Sequence, residues 1–489
     1  MNLSRVVEGW AEHCPSKVAI HFRGTDVSYA ILWERIEEAT RALGSRGIVR
    51  GDRVAFLGYN NPDMLVLLFA LARLGAILVP LNWRLTVAEH RLIVHDCAPQ
   101  LLFAEPEFAA HAAELGVPSC LILDGKWREG EAMPALPGSD DDDVLVMYTS
   151  GTTGRPKGAV LRQSALIWNA FNSIQAHDLS QRDHVLSPLP MFHVGGLNNQ
   201  TLPALLAGAT VTLQQRFAPG QWLADVAARR PTISLLVPAT MQAVLNHPDW
   251  DRTDLSSLKM INSGSMVVPD SLIRAFHARG VPVGQIYGAT ETAPIASVLL
   301  KEDAMAMVGS AGKPALHCEI RIAADDRGME APVGTVGEIW VRGPNVMRGY
   351  WNDPQATASV FHQGWFKTGD LGRRDHGGFL WIAGRTKDVI ISGGENIYPA
   401  EIENVLADCP AVAEATVIGV EDPKWGETAC ACIVRRPGTA LDESSVLSLF
   451  HDRLARYKHP RRIVFVDELP KNAMGKVQKF ELKRRLEAG

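Results

Sequence analysis

The sequence predicts an α/β protein with a large, multi-layered N-terminal domain and a small α+β C-terminal domain, and three observations lead there. Up to about Gly312, apolar strand-like runs alternate with helical stripes, the pattern of layered α/β folds. Beyond that point short strands are punctuated by Gly and Pro, as in Gly337-Glu338-Ile339-Trp340-Val341-Arg342-Gly343-Pro344, which reads as a β-barrel-like portion. Past Gly384-Arg385 lies a compact stretch of ~100 residues, a usual size for a small independent domain. Residues 1–386, expected to hold two α/β sheets plus the barrel-like portion, and residues 387–489 are therefore assigned to the two domains, with the boundary at Thr386-Lys387.

The elements follow in order. Trp33, Ile36, Thr40 and Leu43 carry a helical stripe, residues 54–57 read as a strand and residues 64–74 as a buried helix. Four later strands end in segments with chemical rather than merely structural composition. Residues 185–186 precede Pro188-Leu189-Pro190-Met191-Phe192-His193, and residues 233–237 precede Pro238. Residues 258–261 precede Ser263-Gly264, and residues 283–287 precede Gly288. Strand ends that converge on one crevice are where open α/β sheets build sites. In the C-terminal part, residues 389–391 predict a strand, and Pro399 starts a helix with Ile402, Val405 and Leu406 on one face. Two further strands, residues 416–420 and 428–434, precede a helix capped by Asp442 that carries Val446, Leu447, Phe450 and Leu454.

Composition excludes several classes. With 46% apolar and 21% charged residues the chain is an ordinary globular protein, and a net charge of −5 argues against a dedicated nucleic-acid binder. The basic clusters Lys458, Arg461, Arg462 and Lys483, Arg484, Arg485 read as solvated surface, one of which could meet the phosphates of a ligand. The N-terminus lacks the apolar core of a signal peptide, and the longest apolar run, residues 64–72, falls well short of the ~18–20 residues that span a bilayer. No transmembrane segment and a cytoplasmic location are expected, as a monomer or homodimer. Seven scattered cysteines contain no Cys-x-x-Cys pair, and Cys430 and Cys432 share one strand face as small core residues. The run Asp140 to Asp143 reads as a solvated linker rather than a metal site, because adjacent like charges repel.

The most informative segment is Tyr148-Thr149-Ser150-Gly151-Thr152-Thr153-Gly154-Arg155-Pro156-Lys157-Gly158. It follows the apolar run 144–147, a buried strand, so a hydroxyl- and glycine-rich loop leaves a strand's carboxyl end. Hydroxyls of Thr149, Ser150, Thr152 and Thr153, amides freed by Gly151 and Gly154, and Lys157 make a cradle for the phosphates of ATP. It is not a Walker A loop: Gly158 follows the lysine where Ser or Thr is required, and Pro156 opposes a helix running through it.

This string resembles the signature of the AMP-forming acyl-activating superfamily, which includes acyl- and aryl-CoA ligases, luciferases and peptide-synthetase adenylation domains. Further motifs occur in that family's order over nearly the whole chain. Tyr287-Gly288-Ala289-Thr290-Glu291 is similar to the family's Tyr-Gly-x-Thr-Glu. The resemblance implies that Tyr287 stacks on adenine, Gly288 and Ala289 admit the acyl-nucleotide, Thr290 bonds the α-phosphate and Glu291 ligates Mg²⁺. In Trp365-Phe366-Lys367-Thr368-Gly369-Asp370-Leu371, Asp370 is expected to accept both ribose hydroxyls, with Ile382 and Arg385 lining the nucleotide. Gly264 and Ser265 stand where the family places adenine-binding backbone, although Met266-Val267-Val268 replaces the more usual Ala-Pro-Leu.

Leu469-Pro470-Lys471-Asn472-Ala473-Met474-Gly475-Lys476 resembles the motif bearing the adenylation lysine, which makes Lys476 the catalytic cation that bridges carboxylate and α-phosphate. Ile391-Ser392-Gly393-Gly394-Glu395 resembles the loop that forms a pantetheine tunnel, with Gly393 and Gly394 beside the thiol arm of coenzyme A. Lys387 matches the hinge about which a mobile C-terminal domain rotates. His193 is implied to border the acyl pocket as a positioning residue, with Val194, Gly195, Pro294 and Ile295 as lining and Gly288 at the neck. Gly195 stands where coumarate-CoA ligases carry tyrosine, and no arginine in residues 289–298 is available to pair a second carboxylate.

The expected activity is ATP- and Mg²⁺-dependent ligation of a fatty or bulky aryl/alicyclic monocarboxylate to coenzyme A. Alternatives are transfer of the acyl group to a separate carrier protein and a regulatory nucleotide-binding protein without catalysis. No appended carrier domain is expected, since Gly489 is not followed by a further ~80 residues.

Overall fold

The structure, a computed structural model, describes residues 2–123, 127–129, 138–149, 156–266, 268–393, 395–451, 453–471 and 476–488. Ser150, Gly151, Thr152, Thr153 and Gly154 of the expected phosphate loop, and Gly394, lie outside the described residues.

Two large sheets form the N-terminal body. In the nine-stranded sheet the strands run in the order Lys313–Pro314, Ile295–Val298, Val283–Gly288, Met260–Gly264, Ile233–Leu236, His184–Ser187, Thr210–Leu213, Val18–Phe22 and Thr25–Ser28. Its central strands pair in parallel, and antiparallel strands close both edges. The seven-stranded sheet has a parallel core, with Ile77–Leu81 between Arg53–Leu57 and Asp143–Thr149. Its inner strands are apolar on both faces because both are covered: every residue of Ile77–Leu81 and Leu101–Ala104 is buried.

The helix Pro62–Leu74 is capped by the Asn61 side chain, begins with proline and ends at Gly75 in the left-handed conformation. Only Asp63 and Arg73 interrupt its apolar surface, as expected of a helix enclosed on all sides. It belongs to one contiguous core with Val185 and Val211 of the first sheet, Phe56 and Leu78 of the second, and Ile339 and Phe366 of a third. That third sheet is the five-stranded antiparallel unit of Glu319–Ala323, Gly337–Arg342, Trp365–Arg374, Phe361–His362 and Leu380–Arg385, where the sequence predicts the barrel-like portion.

The short turn Thr386–Asp388 leads from this sheet into the last one, which combines Ile390–Ser392, Glu395–Ile397, Val412–Asp422, Gly426–Arg435 and the parallel strand Arg462–Phe465. Helix Pro399–Ala407 buries Ile402, Val405 and Leu406 in that sheet's core. Cys430 and Cys432 are both fully buried on the opposite face, under Leu469 and Leu482.

Several local expectations differ. The Asp442-capped helix stops at Ser448, so Phe450 and Leu454 pack from irregular chain. Asp140 to Asp143 is not simply a solvated linker: Asp142 caps the Ser139 amide and pairs with Arg50, and Asp143 opens a strand and pairs with Arg348 at 3.0 Å. The basic clusters around Arg462 and Lys483 belong to regular elements, the strand Arg462–Phe465 and the helix Lys479–Ala488. In that helix few apolar positions, among them Leu482, break a charged sequence, so its stripe is weak.

Burial keeps four histidines neutral: His90, His177, His184 and His193 are each pushed down to about 4. His177 is buried, with Nδ1 3.0 Å from Ser173 Oγ and no partner for Nε2 among the described residues. Its folded pKa lies below the unfolded value of about 6.5, so the unfolded chain binds more protons in acid. Stability is therefore fully present above pH ~6.5 and lost as pH falls toward 4. We expect His177→Gln to flatten the acid side of the melting-temperature profile, its share of the loss being on the order of 3 kcal/mol. Thermal melts between pH 7 and 4.5 with an unchanged slope would contradict this.

Candidate active site

The strand Val283–Gly288 delivers Tyr287 and Gly288 to the end of the first sheet, and a tight turn at Thr290–Thr292 reverses the chain into Ile295–Val298. Gly288 is required here: a Cβ would lie 1.6 Å from the Pro294 carbonyl oxygen. The turn is locked from inside. Thr292 Oγ1 donates to the Pro294 carbonyl (2.7 Å) and accepts from the Ala289 amide (2.9 Å). The fully buried Asn345 Nδ2 donates to the carbonyls of Thr292 (2.6 Å) and Ile295 (2.9 Å). Thr290 and Glu291 are thereby held at the rim, half-buried.

Glu291 Oε1 accepts from Tyr350 Oη at 2.8 Å, and the Lys157 ammonium stands 5.1 Å from the centre of the Tyr350 ring. One tyrosine thus joins the carboxylate of one sheet to the lysine of the other. Lys157 begins the strand Lys157–Arg162, which pairs antiparallel with Asp143–Thr149, Thr149 facing Lys157. The strands on either side of the expected phosphate loop therefore pair antiparallel with each other.

Asp370 reaches the same region through a bulge. In the pairing of Trp365–Arg374 with Gly337–Arg342, Lys367 faces Trp340 and Leu371 faces Glu338, so Thr368, Gly369 and Asp370 together oppose one residue. Gly369 takes φ +69°, a conformation that suits glycine, so the Thr-Gly-Asp stretch is a strand interruption and not a free turn. Thr368 Oγ1 donates to the Ile339 carbonyl (2.6 Å) and accepts from the Asp370 amide (3.0 Å). The Asp370 carboxylate accepts from Tyr287 Oη at 3.0 Å and pairs with Arg385 Nε at 2.8 Å. Burial first, then the Asp370 charge, pushes the Tyr287 phenol well up, so it stays a neutral donor. Ile382 is half-buried on the same strand as Arg385.

Lys476 comes into this field from the C-terminal unit. Its side chain keeps contact with solvent, yet the protein around it and the Arg385 guanidinium lower its pKa, against the pull of Asp370 and Asp388. Lys387 is exposed in the connecting turn Thr386–Asp388. Gly393 sits at the turn after Ile390–Ser392, its amide donating to the Trp425 carbonyl of its own sheet at 2.8 Å.

A second group lies around His193. Asn60 holds the approach to it, Nδ2 donating to the Leu189 carbonyl and Oδ1 accepting from the Met191 amide. The His193 ring packs on Phe192, with Nε2 buried and without a partner among the described residues. Burial, with a lesser contribution from Arg84, gives it a pKa of about 4, so it is neutral at physiological pH. Val194 and Gly195 open the short helix Val194–Gly196, which continues as the wide π-turn Leu197–Thr201. Asn169 ties this stretch to the predicted lining: Nδ2 donates to the Asn198 carbonyl (2.7 Å), and Oδ1 accepts from the Ile295 amide (3.0 Å). Asn198, in the turn that follows Val194 and Gly195, is thus tied to Ile295 through one buried amide. Gly264 ends the neighbouring strand Met260–Gly264 opposite Ile286, and Ser265 follows with φ +73°. Ser263 and Gly264 therefore belong to the strand and not to a loop after it.

Sequence reading missed Tyr350, Asn345 and Asn169. Tyr350 has an outward signal in Gly349-Tyr350-Trp351, an aromatic pair that follows a glycine. The two asparagines have none, because a buried amide is recognisable only by the carbonyls it meets.

The same layered body and small C-terminal sheet unit occur in adenylate-forming enzymes. The o-succinylbenzoate CoA synthetase of Bacillus subtilis, in complex with its acyl-adenylate intermediate, superposes with a TM-score of 0.90 at 34% identity over 98% of this chain and 97% of that one. The chain belongs to the AMP-binding enzyme family, whose model matches residues 7–351, and the AMP-binding enzyme C-terminal domain matches residues 401–476. It is 49% identical to an indoleacetate–CoA ligase of Aromatoleum aromaticum, covering 99% of this chain and 98% of the relative. A feruloyl-CoA synthase of an Amycolatopsis species is 42% identical over 97% of both chains.

The Asp370–Arg385 pair should be measurable. We expect a double-mutant cycle of Asp370→Asn and Arg385→Met, followed by denaturant unfolding, to give a coupling of about 1 kcal/mol, since the pair is only partly shielded from water. Additive single mutants would show that the pair contributes nothing to stability.

Proposed function

We propose that the chain is an ATP-dependent carboxylic acid–CoA ligase that works through an acyl adenylate. The observation that carries this reading is the meeting of Tyr287, Asp370, Arg385 and Lys476 at the end of the first sheet, with Glu291 and Lys157 joined across Tyr350. In the first step a carboxylate oxygen attacks the α-phosphorus of ATP, and the bond to pyrophosphate breaks. In the second the coenzyme A thiol attacks the acyl carbonyl, loses its proton, and AMP leaves.

Each residue has a task that suits its surroundings. Asp370 offers a carboxylate to the ribose diol, oriented by Tyr287 and Arg385. Lys476, within the field of Asp370 and Asp388, bridges the attacking carboxylate and the α-phosphate, where two anions must approach. Thr290 and the segment Thr149 to Lys157, including Ser150, Gly151, Thr152, Thr153 and Gly154, take the phosphates, while Gly264, Ser265, Gly288, Ala289 and Ile382 enclose the nucleotide.

Among the described residues no cluster of three acidic, His or Cys side chains could cage a metal. The single carboxylate of Glu291 fits Mg²⁺, which is commonly held by one or two carboxylates and substrate phosphates. When bound, Mg²⁺ would supply charge neutralisation at the triphosphate. His193, neutral and buried, forms a wall of the acyl pocket with Val194, Gly195, Pro294 and Ile295 and places the carboxylate without adding charge.

The position of Lys476 beside Asp370 supports a geometry suited to the first step. Rotation of residues 387–489 about Lys387 would exchange it for Gly393 and Gly394, the proposed pantetheine passage. Among the described residues no helix is long and apolar enough to cross a membrane, and a cytoplasmic enzyme of aryl- or fatty-acid metabolism accords with that. The ligase names of the relatives favour a bulky aryl acid. AMP release measured with and without coenzyme A tests the whole reading: release without thioester formation would point to a carrier-protein acceptor, and no release with any acid to a regulatory protein.

We expect Lys476→Ala to slow adenylation ~10²- to 10³-fold while thioester formation from supplied acyl adenylate stays nearly intact. Equal damage to both half-reactions would count against the assignment. Lys387→Pro fixes φ at an exposed turn position, so the protein should stay folded and keep one half-reaction far better than the other. Full turnover by that variant would eliminate domain rotation from the mechanism.

A further inference from the structure

The acyl side of the site contains a chain of amides whose orientation is fixed from one end. The Gly284 carbonyl can only accept, so Asn262 Nδ2 donates to it, at 3.3 Å. Asn262 Oδ1 is thereby left to accept from Gln200 Nε2, at 2.8 Å. Gln200 Oε1 then remains as a buried acceptor with no partner among the described residues. Flipping either amide would break the chain, so the acceptor is set by the backbone and not by a free choice of rotamer.

This acceptor stands where an acyl group would reach. Asn262 alternates with Gly264 on one strand, and the paired residues Gly284 and Ile286 lead on the next strand to Gly288, so these positions share a sheet face. Gln200 faces them from the π-turn that follows His193, Val194 and Gly195, and π-turns are frequent at functional sites. A Cβ placed on Gly195 would meet nothing within 4 Å among the described residues, which leaves space beside it. Asn199, four residues past Gly195 and about one helical turn along, also has a buried Oδ1 without a partner among the described residues, and the same holds for both polar atoms of Asn198. Buried polar groups are almost always satisfied, and three consecutive residues with orphaned amide oxygens need a donor from elsewhere.

We infer that Gln200 is a specificity-determining acceptor in the acyl pocket, and that the acid activated here is an aryl carboxylate carrying its own ring donor, an N–H or an O–H. The inference rests on the ligase reading and narrows it. A plain fatty chain fills the space beside Gly195 but leaves Gln200 Oε1 unpaired. A site built around a hydrogen bond discriminates strongly against an analogue that lacks it, because its own buried group then goes unsatisfied.

The test uses the full chain and matched acids in a thioester-forming assay. Indole-3-acetate is compared with benzothiophene-3-acetate, which lacks the N–H, and ferulate with 3,4-dimethoxycinnamate, which lacks the O–H. We expect kcat/KM to favour the donor-bearing acid by at least ~10-fold in one pair, and that pair identifies the donor. Gln200→Met removes the acceptor, and Asn262→Leu releases the amide that orients it; both should narrow the ratio toward one in variants that melt as the parent does. Equal use of both members in each pair by the parent enzyme, which needs no variant, would overturn the inference, as would an unchanged ratio in Gln200→Met. The ligase reading fails separately, only if no acid at all yields AMP and a thioester.

Discussion

The Asp370 carboxylate is the point on which the site depends. Its two oxygens take a hydroxyl from Tyr287 of the first sheet and a guanidinium from Arg385 of the third, and the Lys476 ammonium of the C-terminal unit lies within its field. Residues of two sheets and of the C-terminal unit therefore converge on one anion. The bulge at Gly369 makes this possible, because a regular strand would point residue 370 along the pleat rather than toward Tyr287. The junction is partly open to water, so its value is orientation more than stability.

Around it runs a scaffold of buried asparagines. Asn60, Asn169 and Asn345 each bind main-chain groups of segments that carry site residues, and each is fixed in orientation by what it meets. Loops near a cleft cannot all be held by sheet pairing, and a side-chain amide supplies both donor and acceptor where the ladder stops. The scaffold explains how irregular chain such as Ala289 to Pro294 can present groups reproducibly.

Much of this was legible in the sequence. Apolar runs marked the helix at residues 64–74, two residues short of its observed start at Pro62, and the strands around Tyr148 and Tyr287, since enclosed parallel strands require unbroken apolar runs. The motifs marked Tyr287, Glu291, Asp370, Arg385 and Lys476 because their chemistry is local to short strings. What stayed hidden is what depends on distant partners: the role of Tyr350, the antiparallel pairing of the strand that Lys157 begins, and the ion pairs of Asp142 and Asp143. The helix Lys479–Ala488 was concealed for a different reason, a charged sequence that packs through few apolar side chains.

Arg385 immediately precedes the turn Thr386–Asp388. A swing of the C-terminal unit pivoting in that turn would act as a lever whose fulcrum abuts its fixed end: displacement grows with distance, from almost nothing at the arginine to a long arc at Lys476 and beyond. The grip of Asp370, Tyr287 and Arg385 would then be indifferent to which face of the lever is presented. A nucleotide held by that grip would not need to be let go and caught again between steps, and the tenancy of a reactive intermediate would be decoupled from the motion that changes its attacker.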